Sequence, residues 1–333
     1  MQLGKSKPAA GVFFDGDFST IDSLLAVSVL YGLQGKNDCR VAILTLSRPN
    51  LAVAGFTDAV QRFYHGPAGN FSQLPPIGMR TVGSAGDTSP AFTVPFQKKK
   101  PDGTPVYKND VKSVIDTGDP NTLIRNYLEG QYDQNAFFVL AGPATNLAEA
   151  LAFPGIADLI AAKIKYLVFS YSEARIKADV LAARKVLAEW PTPIVACGSE
   201  VGAALPFPGA CIDKEFAAAV PDNPVADAYR AYQNMPYDAT SSDMAAALYA
   251  GRPKEGCFKL SGPGTLSVHD DGRTSFSAAD NGKHQYLIVD PEQKDKVLHT
   301  YVELASAKPV PPKRFKPDAV VVQEEKKPAE PPK

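Results

Sequence analysis

Residues 11–64 alternate short, continuous apolar runs with longer stretches of helical period, and few folds satisfy that pattern. Residues 11–14 are apolar, too few for a helix, and lead into Asp15. Residues 21–33 repeat apolar side chains at helical spacing (Ile21, Leu24, Leu25, Val29) and close on Gly32 and Gly35. Residues 41–46 form a second apolar run, and residues 50–64 a second helix with Leu51, Ala54, Phe56 and Val60 inward. Strands without polar alternation are buried on both faces. Alternating with helices, they predict an α/β domain: a Rossmann-like, open, mostly parallel sheet with right-handed crossovers and flanking helices.

The rest of the chain extends this pattern. Helices are predicted over residues 121–130, 146–152, 180–190, 225–232, 241–250 and 293–306, and strands over 136–140, 164–169 and 194–197. Residues 66–117, rich in Gly, Pro and Lys, read as a long excursion with at most short elements. Residues 258–290 alternate in polarity and carry the turn pairs Asp271-Gly272 and Asn281-Gly282, which predicts β-hairpins added to the main sheet. The organisation is an N-terminal arm (1–10), one α/β domain (11–307) and a tail (308–333) whose Pro, Lys and Glu content predicts disorder.

Charge excludes some partners. With 35 basic and 36 acidic residues the net charge is −1, so nothing points to nucleic acid or an anionic membrane. No run of about 18 apolar residues is present, so no membrane-spanning helix is expected. The first ten residues lack an apolar segment; the chain is cytoplasmic if this start is genuine and exported if a signal has been removed. Cys39, Cys197, Cys211 and Cys257 show neither CxxC nor zinc-finger spacing, and are expected as reduced, buried thiols.

Ligands of open parallel sheets bind beyond the carboxyl ends of the strands. Asp15 and Asp17 follow the first strand in FFDGDFSTIDS, Asp22 opens the next helix, and Asp243 opens a late one in SSDMAAALYA. Carboxylates gathered there would repel one another unless a hard cation such as Ca²⁺ relieved them. A carboxylate beside a metal-bound water could also act as a general base. Asp17, Ser19 and Asp22 could equally cap a helix, as could Asp243, and both readings stay open. The histidines (His65, His269, His284, His299) lie far from these segments and are expected as surface or satisfied residues.

FFDGDFSTIDSLLAVSVLYGL resembles the DxDxGxDD opening of the inosine-uridine preferring nucleoside hydrolases, bacterial branch. Three more stretches occur in that family's order: LAGPATNLAEAL resembles its GPLTN segment, EARIKADVLAARKVLAEWPTPIVACGSEVG its EFN segment and the following strand, and SDMAAALYAGRP its HDPLAVAYALxP segment. The resemblance covers roughly residues 11–306. It implies a nucleoside hydrolase fold and a Ca²⁺ ion held by Asp15, Asp17, Asp22, Asp243 and the carbonyl of Thr145. It implies Asp17 as the base that deprotonates the attacking water, and Asp22, Glu173 and Asp243 as ribose contacts, with Arg175 at the asparagine of EFN. The activity implied is hydrolysis of the N-glycosidic bond of a nucleoside-like small molecule, as in purine or pyrimidine salvage, by a homodimer or homotetramer.

This sequence departs from the family at named positions. The second Asp of the DD pair is Ser23, the EFN asparagine is Arg175, the HDP histidine is Ser242, the loop before EFN is shortened to FSYS, and Arg48 falls near an expected asparagine. Tyr171 or Tyr237 could serve a leaving base, and Glu200 could support the site, although packing or capping explains each. These departures leave a second reading open, a ribosyl-binding protein that keeps the fold without turnover. At Arg175 they leave two: a contact for an anionic substrate, or a salt bridge to a neighbouring acid.

Overall fold

The computed structural model describes residues 8–66 and 74–310; most of the predicted N-terminal arm and tail lies outside them. The strands are β1 (Ala10–Gly16), β2 (Cys39–Leu46), β3 (Ile77–Met79), β4 (Ala136–Ala141), β5 (Ile164–Ser170), β6 (Ile194–Cys197), β7 (Phe258–Leu260), β8 (Gly264–Val268), β9 (Thr274–Ala278) and β10 (His284–Val289). The helices are α1 (Ile21–Gly35), α2 (Leu51–His65), α3 (Pro120–Glu129), α4 (Thr145–Ala150), α5 (Ile156–Lys163), α6 (Glu173–Ala178), α7 (Val180–Glu189), α8 (Ser199–Ala204), α9 (Glu215–Ala219), α10 (Pro224–Tyr232), α11 (Ser242–Gly251) and α12 (Lys294–Ala305). None of the described helices is long and apolar enough to cross a membrane.

The sheet runs β3-β2-β1-β4-β5-β6-β10-β8-β9, with β7 paired to β10. From β3 to β6 the pairings are parallel, as the alternation of strands and helices predicts. The C-terminal strands are more than an added hairpin. β8 and β9 pair antiparallel, but β10 runs parallel to β6 and so extends the main sheet. His284 anchors that join: it lies opposite both Ile194 and Gly264 in the ladders, accepts from the Leu266 amide at Nδ1 (2.9 Å) and sits 3.1 Å from the Leu187 carbonyl at Nε2.

Successive residues of β1 face opposite sides. Val12 and Phe14 join a core with α1, α2, α10, α11 and α12, while Phe13 joins a second core with α3, α5 and α7 around Trp190. Helix α1 is buried from Ile21 to Gln34 because α11 and α12 enclose it. Gly32 permits this: a Cβ there would come within 2.3 Å of the Leu304 carbonyl oxygen of α12.

The order 3-2-1-4 reverses direction between β1 and β4. The chain leaves β1 toward β2 on one side, and β4 starts the other half, so the loops after these two strands diverge. The crevice at such a point is where open α/β sheets bind ligands. The loop leaving β1 carries Asp17, and the loop leaving β4 carries Gly142 and leads to Thr145. Gly142 is required by the close approach of these loops, since a Cβ on it would lie 2.6 Å from Ser47 Oγ and 2.8 Å from the Asp17 nitrogen.

Candidate active site

Asp15 is the penultimate residue of the buried strand β1, level with Thr45 of β2. Its Oδ1 accepts from Thr45 Oγ1 (2.6 Å) and Asn146 Nδ2 (2.6 Å), while Oδ2 is buried without a partner. Burial pushes this carboxyl up to about 7, against the lowering effect of the Thr45 and Asn146 hydrogen bonds. Asp17 is two residues on. Its Oδ1 accepts from the Ser19 amide (3.2 Å) and hydroxyl (3.0 Å), a local turn that orients the carboxylate. Its Oδ2 has Arg48 Nη2 at 3.7 Å, beyond hydrogen-bond length.

Asp22 is a cap, but not of its own helix. Its Oδ2 accepts from the Asp243 amide (2.8 Å) and its Oδ1 from the Met244 amide (3.2 Å), so it closes the N-terminus of α11 from α1. Burial, and then the Asp243 charge, raise its pKa above the usual carboxylate range.

Arg175 lies at the centre of the cluster. It is on α6, just past the end of β5, with Ser172 as N-cap accepting from the Arg175 amide (3.3 Å). Nη1 donates to Asp243 Oδ1 (2.6 Å) and Nη2 to Asp243 Oδ2 (2.8 Å), a fork-on-fork pair. Nη2 also reaches Asp17 Oδ1 and Ser23 Oγ, each at 3.2 Å. Ser170 Oγ donates to Asp243 Oδ1 (2.6 Å) and Ser23 Oγ to Asp243 Oδ2 (2.7 Å). Burial works against the guanidinium charge, but Asp243 and Asp17 more than offset it and raise its pKa. The salt bridge, one of the two readings open for Arg175, is present.

Asp17, Asp22 and Asp243 therefore gather around a guanidinium, whereas Asp15 is held apart by Thr45 and Asn146. Calcium takes six to eight oxygen ligands. Here both Asp243 oxygens and Asp17 Oδ1 face Arg175, and both Asp22 oxygens serve α11 amides, leaving Asp15 Oδ2 without a partner and Asp17 Oδ2 near Arg48. Among the described residues no three Asp, Glu, His or Cys side chains are placed to hold one ion. As arranged, these residues do not fit a calcium ion.

The other predicted residues are placed as follows. Thr145 donates through Oγ1 to Asp179 Oδ2 (2.8 Å) and lines a neighbouring cavity. Glu173 faces outward and pairs with Lys177. Residues two apart on a helix do not share a face, so with Arg175 inward Glu173 is exposed. Tyr171 lines the cavity above Asp17, whereas Tyr237 stacks on Tyr229 at 4.3 Å and donates to its carbonyl. Glu200 and His299 are exposed, His269 contacts Ser275 Oγ (2.9 Å), and His65 and His284 are buried with partners. The four cysteines are free and buried, as expected. Sequence reasoning did not single out Ser170, Thr45 and Asn146. Thr45, a polar residue inside an apolar strand level with Asp15, carried a readable signal.

The cavity beside Asp17 measures about 270 Å³ and is lined by Asp17, Asp22, Arg48, Tyr171, Arg175 and the hydroxyls of Ser19, Thr20, Ser172, Ser199, Thr240 and Ser242. Six of these residues are serines or threonines, of which Ser19 and Ser172 already bond Asp17 and the Arg175 amide.

The chain superimposes on several solved structures. The inosine-uridine preferring nucleoside hydrolase of Bacillus anthracis matches with a TM-score of 0.64 at 17% identity, covering 89% of this chain and 99% of that one. The fold is that of the nucleoside hydrolases. An inosine-guanosine nucleoside hydrolase matches with a TM-score of 0.66 at 16% identity, covering 89% and 99%. The type III effector XopQ, solved with adenosine diphosphate ribose, matches at 0.61 and 12% identity, covering 91% and 96%. No family model and no curated protein matches the sequence. Ser23 and Arg175, two of the departures from the family pattern, are in contact at 3.2 Å.

Proposed function

We propose that this chain binds a ribosyl compound of nucleoside type in the cavity beside Asp17 and hydrolyses its N-glycosidic bond without calcium. The observation that carries the reading is the state of Asp17: Oδ1 is held by Ser19 and Arg175, while Oδ2 lies on a cavity-lining carboxylate with no hydrogen bond to it. That oxygen can take a proton from a water attacking the anomeric carbon. The C–N bond breaks as the water adds, and its electrons leave with the base, which takes up a proton. Tyr171, whose hydroxyl burial keeps protonated, lines the cavity and is the candidate donor. The carboxylates favour the oxocarbenium-like transition state, whereas the positive charges of Arg175 and Arg48 oppose it. Turnover is therefore expected to be slow.

Arg175 also favours a second reading, a ribosyl-binding protein without turnover. It occupies both oxygens of Asp243, the carboxylate that the family resemblance assigns to a ribose hydroxyl.

Incubation with inosine, uridine and adenosine in EDTA decides between them. The first reading predicts slow release of free ribose that Asp17→Asn abolishes, a loss of about 100-fold or more. Ligand-induced thermal stabilisation without ribose release establishes the second reading instead. Neither release nor stabilisation with any of the three overturns both.

A further inference from the structure

A second cavity of about 240 Å³ adjoins the first, and Arg48 lines both. Its wall carries Ser47, Arg80 and Thr145, with Gly83 and Ser84 at the rim. Two polar atoms on this wall lack partners. Ser47 is 7% exposed, and its Oγ bonds nothing; Arg48 Nε is buried and likewise bonds nothing. Leaving buried donors unsatisfied is costly, and native proteins rarely do so without a reason. Gly142 faces Ser47 Oγ with no side chain of its own to partner it.

The electrostatics indicate what would satisfy these donors. Arg80 uses Nη1 on Glu149 (2.7 Å) and Asn146 (3.4 Å), and its side chain is 12% exposed. The one acid on the wall, Asp179, is committed: Oδ2 accepts from Thr145 and Oδ1 from the Ala182 amide (3.0 Å) as the N-cap of α7. Two guanidiniums and an unpartnered hydroxyl, set against one committed carboxylate, make a donor-rich and acceptor-poor wall. Guanidinium forks match phosphate oxygens in geometry and charge.

We propose that this second cavity is an anion subsite for the phosphate group of a ribosyl phosphate whose sugar lies beside Asp17. The ligand class is then a phosphorylated ribosyl compound, with Arg80 and Ser47 as specificity residues and Arg48 bridging the two halves. The inference rests on the ribosyl reading of the first cavity for the identity of the sugar, but not for the anion.

Calorimetric titration of the full chain with ribose, ribose 5-phosphate and inorganic phosphate separates the two parts. The wild-type protein is expected to bind ribose 5-phosphate at least about tenfold more tightly than ribose, the gain typical of one charge-assisted contact. Arg80→Gln should remove that gain and leave ribose affinity unchanged. Ser47→Ala, which breaks no existing hydrogen bond and so spares the fold, should weaken ribose 5-phosphate by roughly twofold to tenfold. Equal affinity of the wild-type protein for ribose and ribose 5-phosphate overturns the subsite, as does a preference that survives Arg80→Gln. Inorganic phosphate binding that depends on Arg80, with no binding of ribose, upholds the subsite and overturns the ribosyl reading.

Discussion

Arg175→Ala is expected to lower the unfolding free energy by about 3–5 kcal/mol, the usual cost of removing one partner from a buried ion pair. Arg175 is buried against Asp243 at 2.6 and 2.8 Å and against Asp17 at 3.2 Å, with Asp22 within its electrostatic reach. Without the guanidinium, three buried aspartates lose their common counter-charge. Folded domains of ordinary size hold only about 5–15 kcal/mol in total, so the loss should be plain in urea unfolding as a fall in midpoint at unchanged slope. Arg175→Lys keeps a charge but not the fork, and should recover only part of the loss. An Arg175→Ala variant as stable as the wild type would mean that the guanidinium does not hold these carboxylates together.

The second large effect is expected from the other side of the pair. Asp243 accepts from Ser23, Ser170 and both terminal nitrogens of Arg175, so Asp243→Ala takes from a buried cation its closest partner, leaving it only Asp17 at 3.2 Å, and from two buried hydroxyls their acceptor. Its cost should again be about 3–5 kcal/mol. Because the two residues act on each other, Arg175→Met combined with Asp243→Leu should cost clearly less than the two single losses summed, as happens when a buried pair is replaced by apolar side chains. Losses that simply add would show that the pair is not coupled. Urea titration of the two singles and the double measures this directly.

How much of this was legible beforehand depends on the range of the physics. Strand and helix periods are local, so β1, α1, β2, α2 and the parallel sheet could be read from spacing alone. The convergence of Asp17, Asp22 and Asp243 followed from placing each just past a strand's carboxyl end or at a helix start. What they converge on was not local. Whether Asp22 caps its own helix or α11 depends on how α1 packs beneath α11, which no spacing records. Arg175 stands two residues from Glu173 on α6, a short helix that the apolar pattern does not mark, so the sequence reading placed both at the site although only Arg175 turns inward. The parallel pairing of β10 with β6 escaped for the same reason, since a strand's partner is set by the whole sheet.

The central claim is that Arg175 takes the place of the cation among these aspartates. Calorimetric titration of calcium into the metal-stripped wild-type protein and into Arg175→Ala tests it most directly. The account predicts no saturable heat in the wild type and one-site binding in the variant, where Asp17 and Asp243, released from the guanidinium, are free to turn toward one ion. Tight binding of one calcium ion by the wild-type protein would contradict it.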